Sequence, residues 1–300
     1  MVSTTKILIT GATGALGREL VPFLLKHLQC EILTINRSVE RAESSLQSHL
    51  GLRHTTINDL KDIQSFAPEV VLHLASFVTS ALDLENGIKL VEANITYGIR
   101  LMDAISQCSS VRLFLNFGTF AEYRSGTDHT ENAYLYSASK TAFRAFAEFY
   151  AQTNGFNLVH VVPYTIYGTQ DERKKILDYI FDGFHSEKPV KMTPGNQVLD
   201  FIHVMDVCKC LEQIISYPAI EKYNFQDIYL GTGTGHSIRE VASLMGELLQ
   251  KQPNILWGGL PYRDRDVALA IANTEKLVEL DCLPVITLKE GLIKYLKTKH

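Results

Sequence analysis

The stretch ILITGATGALGREL, residues Ile7–Leu20, joins a short apolar run to an amphipathic segment through Gly11, Gly14 and Gly17. The apolar run predicts a strand and the amphipathic segment a helix. Small residues between them let a backbone approach a pyrophosphate, and the helix N-terminus offers free N–H groups and a favourable dipole. The stretch therefore predicts the first βα turn of a dinucleotide-binding fold. The residues expected on the cofactor here are Gly11, Thr13, Gly14, Ala15, Leu16 and Gly17.

Outward from this turn, short β-branched runs alternate with longer amphipathic ones, which is typical of a parallel sheet wrapped by helices. The predicted strands are Lys6–Thr10, Glu31–Ile35, His54–Ile57, Val70–Leu74, Leu113–Phe117 and Val159–Pro163. The predicted helices between them are Ala15–Leu28, Val39–Leu50, Gly87–Gln107 and Tyr136–Gln152. Pro22 is expected to kink the first helix or to shift its start. The fold class is α/β, a Rossmann doubly wound parallel sheet.

After Tyr164 the alternation weakens, which predicts a smaller, discontinuous C-terminal substrate domain. A helix over Glu172–Phe184, a strand over Asp200–Val204 and a helix over Met205–Ser216 follow, and a strand near Ile228–Leu230 could rejoin the first sheet. The predicted division is 1–164 plus 200–230 for the cofactor domain and 165–199 plus 231–300 for the substrate domain. The glycine-rich 231–235 is interpreted as a turn, because Ser237 and Glu240 after it form a capping box.

Composition excludes several classes of protein. The 300 residues are 46% hydrophobic and 21% charged, with a formal net charge of −4. This balance argues against nucleic acid as a partner, and the chain has no apolar stretch long enough for a membrane span. The five cysteines are odd in number and scattered, so neither a disulfide framework nor a metal site is indicated. A cytoplasmic protein without a metal is expected.

The loop after the second predicted strand bears on the choice of cofactor. An acidic residue there would bond a ribose 2′-hydroxyl and repel a 2′-phosphate. The chain instead has Asn36, Arg37 and Ser38, and a guanidinium pairs well with phosphate. NADP(H) is therefore favoured, with NAD(H) as the alternative. Asn58 and Asp59, after the third strand, are expected to hold the adenine edge, although a simple turn or helix cap explains them nearly as well.

A candidate acid/base group lies at the start of the helix predicted over Tyr136–Gln152. Residues four apart on a helix share a face, and Tyr136 has Lys140 as its partner. A nearby ammonium favours the phenolate of a tyrosine, whose reference pKa of about 10 is otherwise too high for a base. Thr119 follows the strand Leu113–Phe117, at the sheet edge where ligands bind in open α/β folds. We expect Thr119, Tyr136 and Lys140 to form the catalytic group.

These motifs together resemble the extended short-chain dehydrogenase/reductases and, within them, the NAD(P)-dependent nucleotide-sugar epimerase/dehydratase family. The glycine turn, the apolar Val70–Ala75 and the Thr119/Tyr136/Lys140 set carry the resemblance. Asp200–Val207, DFIHVMDV, is similar to a family segment, and Pro163–Gly168, PYTIYG, resembles a family strand end. The likeness runs from Lys6 to about Leu277.

The resemblance implies roles for individual residues. Tyr136 would be the acid/base, Lys140 would lower its pKa and hold the nicotinamide ribose, and Thr119 would orient the substrate oxygen. Asn94 would support the lysine, and Arg263 would bind the diphosphate of a sugar nucleotide. The remaining cofactor contacts implied are Leu74, Ala75, Ser76, Pro163 and Thr165. The remaining substrate contacts implied are Phe120, Tyr164 and Thr165.

Departures from the family pattern narrow the reaction. Family dehydratases have an Asp-Glu pair directly after the catalytic threonine, whereas Thr119 is followed by Phe120 and Ala121, with Glu122 one place late. The chain looks like the reductases of 4-keto-6-deoxy nucleotide sugars, of the CDP-abequose and CDP-paratose synthase type. NADPH-dependent reduction of a 4-keto group is the predicted reaction. An epimerase with permanently bound NAD and a non-catalytic NADP-binding regulator are the alternatives. The predicted helices Gly87–Gln107 and Tyr136–Gln152 are too apolar for the surface of a monomer. In this family such helices form a bundle between two subunits, so a homodimer is expected.

Overall fold

The computed structural model describes residues 4–58, 60–170 and 173–299. Each strand is short and most are strongly apolar, as strands covered on both faces must be. In chain order the strands are β1 (Thr5–Thr10), β2 (Cys30–Asn36), β3 (Leu52–Thr56), β4 (Val70–His73), β5 (Leu113–Phe117), β6 (Asn157–Pro163), β7 (Thr165–Tyr167), β8 (Val190–Met192), β9 (Val198–His203), β10 (Asp227–Leu230), β11 (Gly235–Ser237), β12 (Ile255–Trp257) and β13 (Leu269–Ala270).

The helices connect these strands and cover the sheets. In chain order they are α1 (Ala15–His27), α2 (Val39–Ser45), α3 (Leu60–Phe66), α4 (Leu84–Leu90), α5 (Tyr97–Ser106), α6 (Leu135–Asn154), α7 (Ile176–His185), α8 (Val204–Ser216), α9 (Ile238–Leu249), α10 (Glu275–Glu279) and α11 (Leu288–Lys297). A π-helical segment, Val91–Thr96, makes α4 and α5 one continuous rod.

Seven parallel strands form the first sheet, in the order β10-β6-β5-β4-β1-β2-β3. One face packs against α1, α8 and α10, and the other against α3, α5 and α6. Apolar burial on both faces holds this arrangement together. The predicted Rossmann sheet is confirmed, including the return of the strand near Ile228–Leu230 to its edge.

The second, smaller sheet contains β7, β9, β11 and β13, and β8 pairs separately with β12. Its core is shared with α7, α9 and α11. The predicted domain boundary between 199 and 200 falls inside β9, which pairs with β7, β11 and β13. The next helix, α8, returns to the first sheet. The capping box at Ser237 and Glu240 is present as predicted.

Most predicted elements are found, with shifted ends. α1 begins at Ala15 with Pro22 in its interior, so the proline does not shift its start. Buried Val21 and Phe23 around Pro22 supply packing that offsets the lost backbone hydrogen bond. The predicted helix over Val39–Leu50 ends at Ser45, before Gly51 turns the chain at φ +83°.

Other differences are at short elements. The strand predicted over His54–Ile57 spans Leu52–Thr56, and α3 was not predicted. The helix predicted over Glu172–Phe184 begins at Ile176; Glu172 itself lies outside the described residues. In the described part of the chain, no helix has the length and apolarity that a bilayer crossing requires.

Candidate active site

The glycine turn brings two backbone segments together at the carboxyl edge of the first sheet. Gly11 has φ +72°, and a Cβ there would lie 2.6 Å from the Ala75 backbone nitrogen. A Cβ at Gly17 would lie 2.5 Å from the Ala12 carbonyl oxygen. Within the described chain, the N-terminus of α1 has neither a side-chain cap nor an acidic residue in its first turn. Its N–H groups are thus open to a phosphate, which fits the predicted pyrophosphate site.

The end of β2 carries the residues predicted to select the cofactor. Asn36 donates to the Thr34 carbonyl and to its hydroxyl, at 3.1 and 2.7 Å, and Arg37 is exposed. Ser38 accepts a hydrogen bond from the Arg41 N–H at 3.1 Å, and its own hydroxyl donates to the Glu40 carboxylate at 2.7 Å. Only Arg37 of the three is left to meet a 2′-phosphate directly. Asn58 is an exposed turn residue, and Asp59 lies outside the described residues.

Asn94 organises the segment that follows β4. It is buried within the π-helical segment, the kind of local defect that is frequent at functional sites. Its Oδ1 accepts from Ser76 Oγ at 3.2 Å and from the Phe77 N–H at 2.7 Å. Its Nδ2 donates to the Phe77 carbonyl and to Ser139 Oγ, both at 2.9 Å. Asn94 thus ties the segment after β4 to α6 through Ser139, whereas the resemblance implied a role for it at Lys140.

Side chains of β1 and β4 hold the segment Leu74–Ser76 in place. Thr10 Oγ1 lies 2.8 Å from His73 Nδ1 and accepts from the Ala75 N–H at 3.2 Å. His73 is fully buried, and burial together with the Lys140 charge lowers its pKa to about 3. The ring is therefore neutral at working pH. His73 serves the packing of this edge.

Thr119 begins a short 3₁₀ turn, Phe120–Glu122, directly after β5. Its side chain caps the turn by accepting from the Ala121 N–H at 3.4 Å, and the Glu122 carboxylate reaches back to the Thr119 N–H at 2.8 Å. Thr119 is buried, with its turn facing the cavity described below. Sequence reasoning noted Glu122 as displaced from the dehydratase position but did not assign it a contact.

Tyr136 and Lys140 lie one turn apart near the start of α6, as predicted. Burial, with a smaller effect of the Glu122 charge, raises the pKa of Tyr136 to about 12, although a hydrogen bond with Ser76 lowers it. Burial lowers the pKa of Lys140 to about 8, against the opposing effect of Glu122. The expected lowering of the tyrosine pKa by Lys140 is not among these causes. The chain alone therefore presents a protonated phenol, which can donate a proton to a bound oxygen.

A cavity of about 560 Å³ opens beside this phenol. Its described lining is Phe77, Val78, Thr79, Ser80, Thr119, Phe120, Ala121, Tyr134, Tyr136 and Arg173. Phe120 stacks on Tyr164, with ring centroids 5.7 Å apart. Phe77, Tyr134 and Arg173 were not predicted as cavity residues. The first follows the Leu74–Ser76 segment directly, which is the sequence feature that could have identified it.

The predicted diphosphate ligand Arg263 lies in the loop before β13, a strand of the second sheet. Its guanidinium lies 6.0 Å from the centre of the Tyr134 ring, and its backbone N–H donates to Asp266 at 3.1 Å. Asp266 in turn accepts from the Tyr134 hydroxyl at 2.6 Å. Arg265 donates to the Asn132 carbonyl at 3.0 Å and lies 3.3 Å from Glu131. These bonds place the loop 261–266 at the entrance of α6, with Arg263 exposed beside the cavity lining.

The other predicted contacts stand at the same edge. Pro163 ends β6, Tyr164 is buried, and Thr165 begins β7. Ala121 and Tyr164 belong to a small apolar cluster with Val267 and with Ala270 of β13. The site is therefore a cleft between the first sheet and the segment that leads into β13 of the second sheet. No group of three or more His, Cys, Asp or Glu is placed to hold a metal in the part of the chain described.

A doubly wound parallel sheet, a glycine turn at its first crossover and a Thr/Tyr/Lys set at its carboxyl edge define a dinucleotide-dependent enzyme of the short-chain dehydrogenase/reductase type. The sequence places the chain more closely. Residues 7–225 match the NAD dependent epimerase/dehydratase family, and the chain belongs to that family. It is accordingly an enzyme of the nucleotide-sugar epimerase, dehydratase and reductase class.

Two relatives agree with this assignment, and a solved structure agrees with the fold. The chain is 25% identical over 266 residues to CDP-abequose synthase of Yersinia pseudotuberculosis, covering 87% of this chain and 90% of the relative. It is 24% identical over 306 residues to CDP-abequose synthase of Salmonella typhimurium, covering 97% of both. The structure of UDP-glucuronic acid 4-epimerase from Bacillus cereus, in complex with UDP-glucuronic acid and NAD, matches with a TM-score of 0.88 at 20% identity. That match covers 99% of this chain and all of the other.

Proposed function

We propose that this protein reduces the 4-keto group of a nucleoside-diphosphate 4-keto-6-deoxy or dideoxy sugar, with NADPH as the reductant. The observation that carries the proposal is the lining of the cavity. Thr119 and Tyr136 offer two hydroxyls there, and Phe120 and Ala121 beside them are apolar. No described residue of that lining is acidic. Such a surface can protonate one oxygen, but it lacks the acid/base pair that elimination of water needs.

The position of Glu122 supports the same reaction. Glu122 is the carboxylate nearest in sequence to the two positions at which family dehydratases have their Asp-Glu pair. It is therefore the residue to consider for the acid/base chemistry of water elimination. Its Oε1 accepts from the Thr119 N–H at 2.8 Å and its Oε2 from the Thr141 hydroxyl at 2.9 Å. It is buried beneath the turn and is not part of the cavity lining. A carboxylate held in this way cannot reach a sugar in the cavity.

In the proposed reaction, the glycine turn would hold NADPH, which would supply the hydride for the sugar C4. Thr119 and Tyr136 hydrogen-bond the C4 carbonyl oxygen and polarise it. The oxygen takes its proton from the Tyr136 hydroxyl as the C4–H bond forms, so that a ketone becomes an alcohol. Lys140 holds the ribose and stabilises the phenolate that remains. A solvent proton then restores Tyr136.

The similarity to two CDP-abequose synthases supports a cytidine nucleotide and a dideoxy sugar as the first substrate to test. Arg263, exposed at the cavity entrance, is proposed to pair with the diphosphate. Arg37 is proposed to pair with the 2′-phosphate of NADPH. Apart from Asn36 and Ser38, whose side chains are engaged within the chain, the site residues proposed for the cofactor and the substrate are otherwise those predicted from the sequence.

The test is NADPH oxidation by the purified protein with CDP-, GDP- and dTDP-4-keto-6-deoxy sugars, followed by mass analysis of the sugar product. We expect turnover with the CDP sugars and a product heavier by two hydrogens. No oxidation with any of the three nucleotides would rule the proposal out.

An NAD-dependent epimerase is the second candidate. The engagement of Ser38 with Glu40 favours it, since this leaves only Arg37 for a 2′-phosphate. An epimerase of this kind retains its cofactor through purification, whereas a reductase exchanges it. Mass spectrometry of the cofactor released from the purified protein separates the two: tightly bound NAD indicates the epimerase, and an empty or NADP-loaded protein the reductase.

We also propose that the protein is a homodimer and acts in the cytoplasm. Phe146 and Phe149 on α6 are 45% and 66% exposed, and Ile88 and Val91 on the adjoining rod are each 50% exposed. Apolar side chains grouped on neighbouring helices indicate a protein interface. Phe149→Glu is expected to give monomers in analytical ultracentrifugation. A wild-type mass of one chain would contradict the dimer.

A further inference from the structure

Glu122 is a buried carboxylate that joins the two elements carrying the catalytic set. The 3₁₀ turn that it closes carries Thr119, and α6 carries Tyr136 and Lys140. One carboxylate oxygen accepts from the turn, and the other accepts from Thr141, the residue after Lys140. A single side chain therefore fixes the distance between the threonine turn and the catalytic helix.

The glycine before the catalytic threonine makes room for this arrangement. A Cβ added to Gly118 would lie 2.5 Å from Glu122 Oε1. Any other residue at 118 would force the carboxylate away from the Thr119 N–H. The capping box, Gly118 and Thr141 are thus one unit built around the carboxylate.

The Thr119 N–H donates to one oxygen of Glu122, and the Thr141 hydroxyl is placed to donate to the other at 2.9 Å, closer than to its second acceptor, Asn132 Oδ1, at 3.1 Å. An ionised carboxylate accepts both bonds. The charged and titratable groups that act on it or respond to it are Lys140 and Arg144 from α6, together with Tyr136. Burial raises the pKa of Glu122 above its ordinary value, and the two hydrogen bonds and the two cations reduce this rise without cancelling it. Burial lowers the pKa of Lys140 to about 8, and the charge of Glu122 opposes this lowering. A negative charge at this place therefore extends the pH range over which the lysine stays protonated.

We propose that Glu122 is a positioning residue for the catalytic set: its ionised carboxylate clamps the Thr119 turn to α6 and serves as the counter-charge of Lys140. The part concerning catalysis rests on the proposed function. The part concerning Lys140 rests only on cofactor binding, since a protonated Lys140 is what holds the nicotinamide ribose. The two parts can be measured separately.

The experiment is the dissociation constant of the reduced cofactor, measured by fluorescence across pH, in the wild type, Glu122→Gln and Thr141→Val. NADPH or NADH is used, whichever the wild type binds more tightly. Glutamine keeps an acceptor for the Thr119 N–H, presents an N–H donor to the Thr141 hydroxyl oxygen in place of the carboxylate acceptor, and removes the charge. We expect the alkaline loss of binding to move to lower pH by roughly one unit in Glu122→Gln. Thr141→Val should move it by less, and Thr141→Ser should restore the wild-type profile.

Glu148→Gln is the matched control. Glu148 is also on α6 and pairs with Arg144 and His160, but not with the threonine turn. Its profile should follow the wild type. Equal profiles for Glu122→Gln and the wild type would overturn the counter-charge, and a Thr141→Ser variant that behaves like Thr141→Val would overturn the clamp. If the wild type binds the cofactor but reduces no keto sugar, the proposed reaction fails while these profiles still decide the role of Glu122.

Discussion

The two walls of the cleft are built by different means. The wall from the first sheet has buried Thr119 and Lys140 and half-buried Gly11, and it is fixed by strand ends, helix turns and close backbone approach. The wall from the loop 261–266, with Arg263, is exposed and is held by a few side-chain bonds to Tyr134 and Asn132. Chemistry common to a family requires the first kind of wall. Choice among substrates can be altered on the second without disturbing the fold.

The sharpest test of this contrast is Tyr136→Phe against Tyr134→Phe. Removing the Tyr136 hydroxyl deletes the proton donor, so we expect kcat to fall by roughly a thousandfold while cofactor binding remains. Removing the Tyr134 hydroxyl deletes only its hydrogen bond to Asp266, which helps to hold the loop 261–266, and leaves the proton donor in place. Stopped-flow NADPH oxidation measures both. If cells that carry the Tyr136→Phe variant form as much product as wild-type cells, the protein is instead a non-catalytic NADP-binding regulator.

Gly11→Ala probes the backbone approach within the first wall. The added Cβ would meet the Ala75 nitrogen at 2.6 Å, at a φ that alanine rarely adopts. The turn must open, and we expect cofactor affinity to fall by roughly a hundredfold, equivalent to about 2.7 kcal/mol. Isothermal titration calorimetry is the measurement.

Gly87→Ala is the control for this substitution. A Cβ at Gly87, within α4, has no neighbour within 4 Å. Alanine there should leave cofactor affinity unchanged and raise the free energy of unfolding by up to about 1 kcal/mol. Equal losses of affinity in both variants would mean that close packing at the glycine turn is not what binds the pyrophosphate.

The pH dependence of the reaction tests the buried wall. The pKa of Lys140 is lowered to about 8, so the ammonium is present below that pH and lost above it. We expect kcat/KM to decline above about pH 8, approaching tenfold for each further pH unit. Tyr136, with its pKa raised to about 12, remains a proton donor throughout. A flat profile from pH 7 to pH 10 would contradict the assigned role of Lys140.

The smallest effect is expected on the exposed wall. Arg263→Ala should raise KM for the nucleotide sugar by roughly fivefold, because a solvent-exposed pair is screened, and should leave kcat nearly unchanged. Steady-state kinetics with the CDP sugar give both constants. Arg239→Ala, which removes a guanidinium stacked on Trp257, is the control. A fall in kcat alone would place Arg263 in the chemistry.

How far the sequence predicts each wall follows from the same difference. The strand–glycine–helix order and the spacing from Tyr136 to Lys140 are local patterns, so the sheet and the catalytic helix could be predicted from them. The sequence shows that Glu122 lies one place after the position of the dehydratase pair. Its contact with Thr141, nineteen positions away, depends on how the turn packs on α6. The bond between Tyr134 and Asp266 joins residues 132 apart. Only the folded chain brings such pairs together.

The π-helical segment Val91–Thr96 also has a consequence for how the chain could change over evolution. A π turn holds one residue more than an α turn, so it fits that extra residue into nearly the same rotation of the helix. Deleting a single residue there would restore regular α-helical winding and leave α5 close to its present rotation relative to α4. The local bulge that holds Asn94 beside the segment after β4 would be lost, whereas the exposed apolar side chains of α4 would keep their alignment with α5. One codon can thus change the contacts of Asn94 without disturbing the surface proposed for self-association.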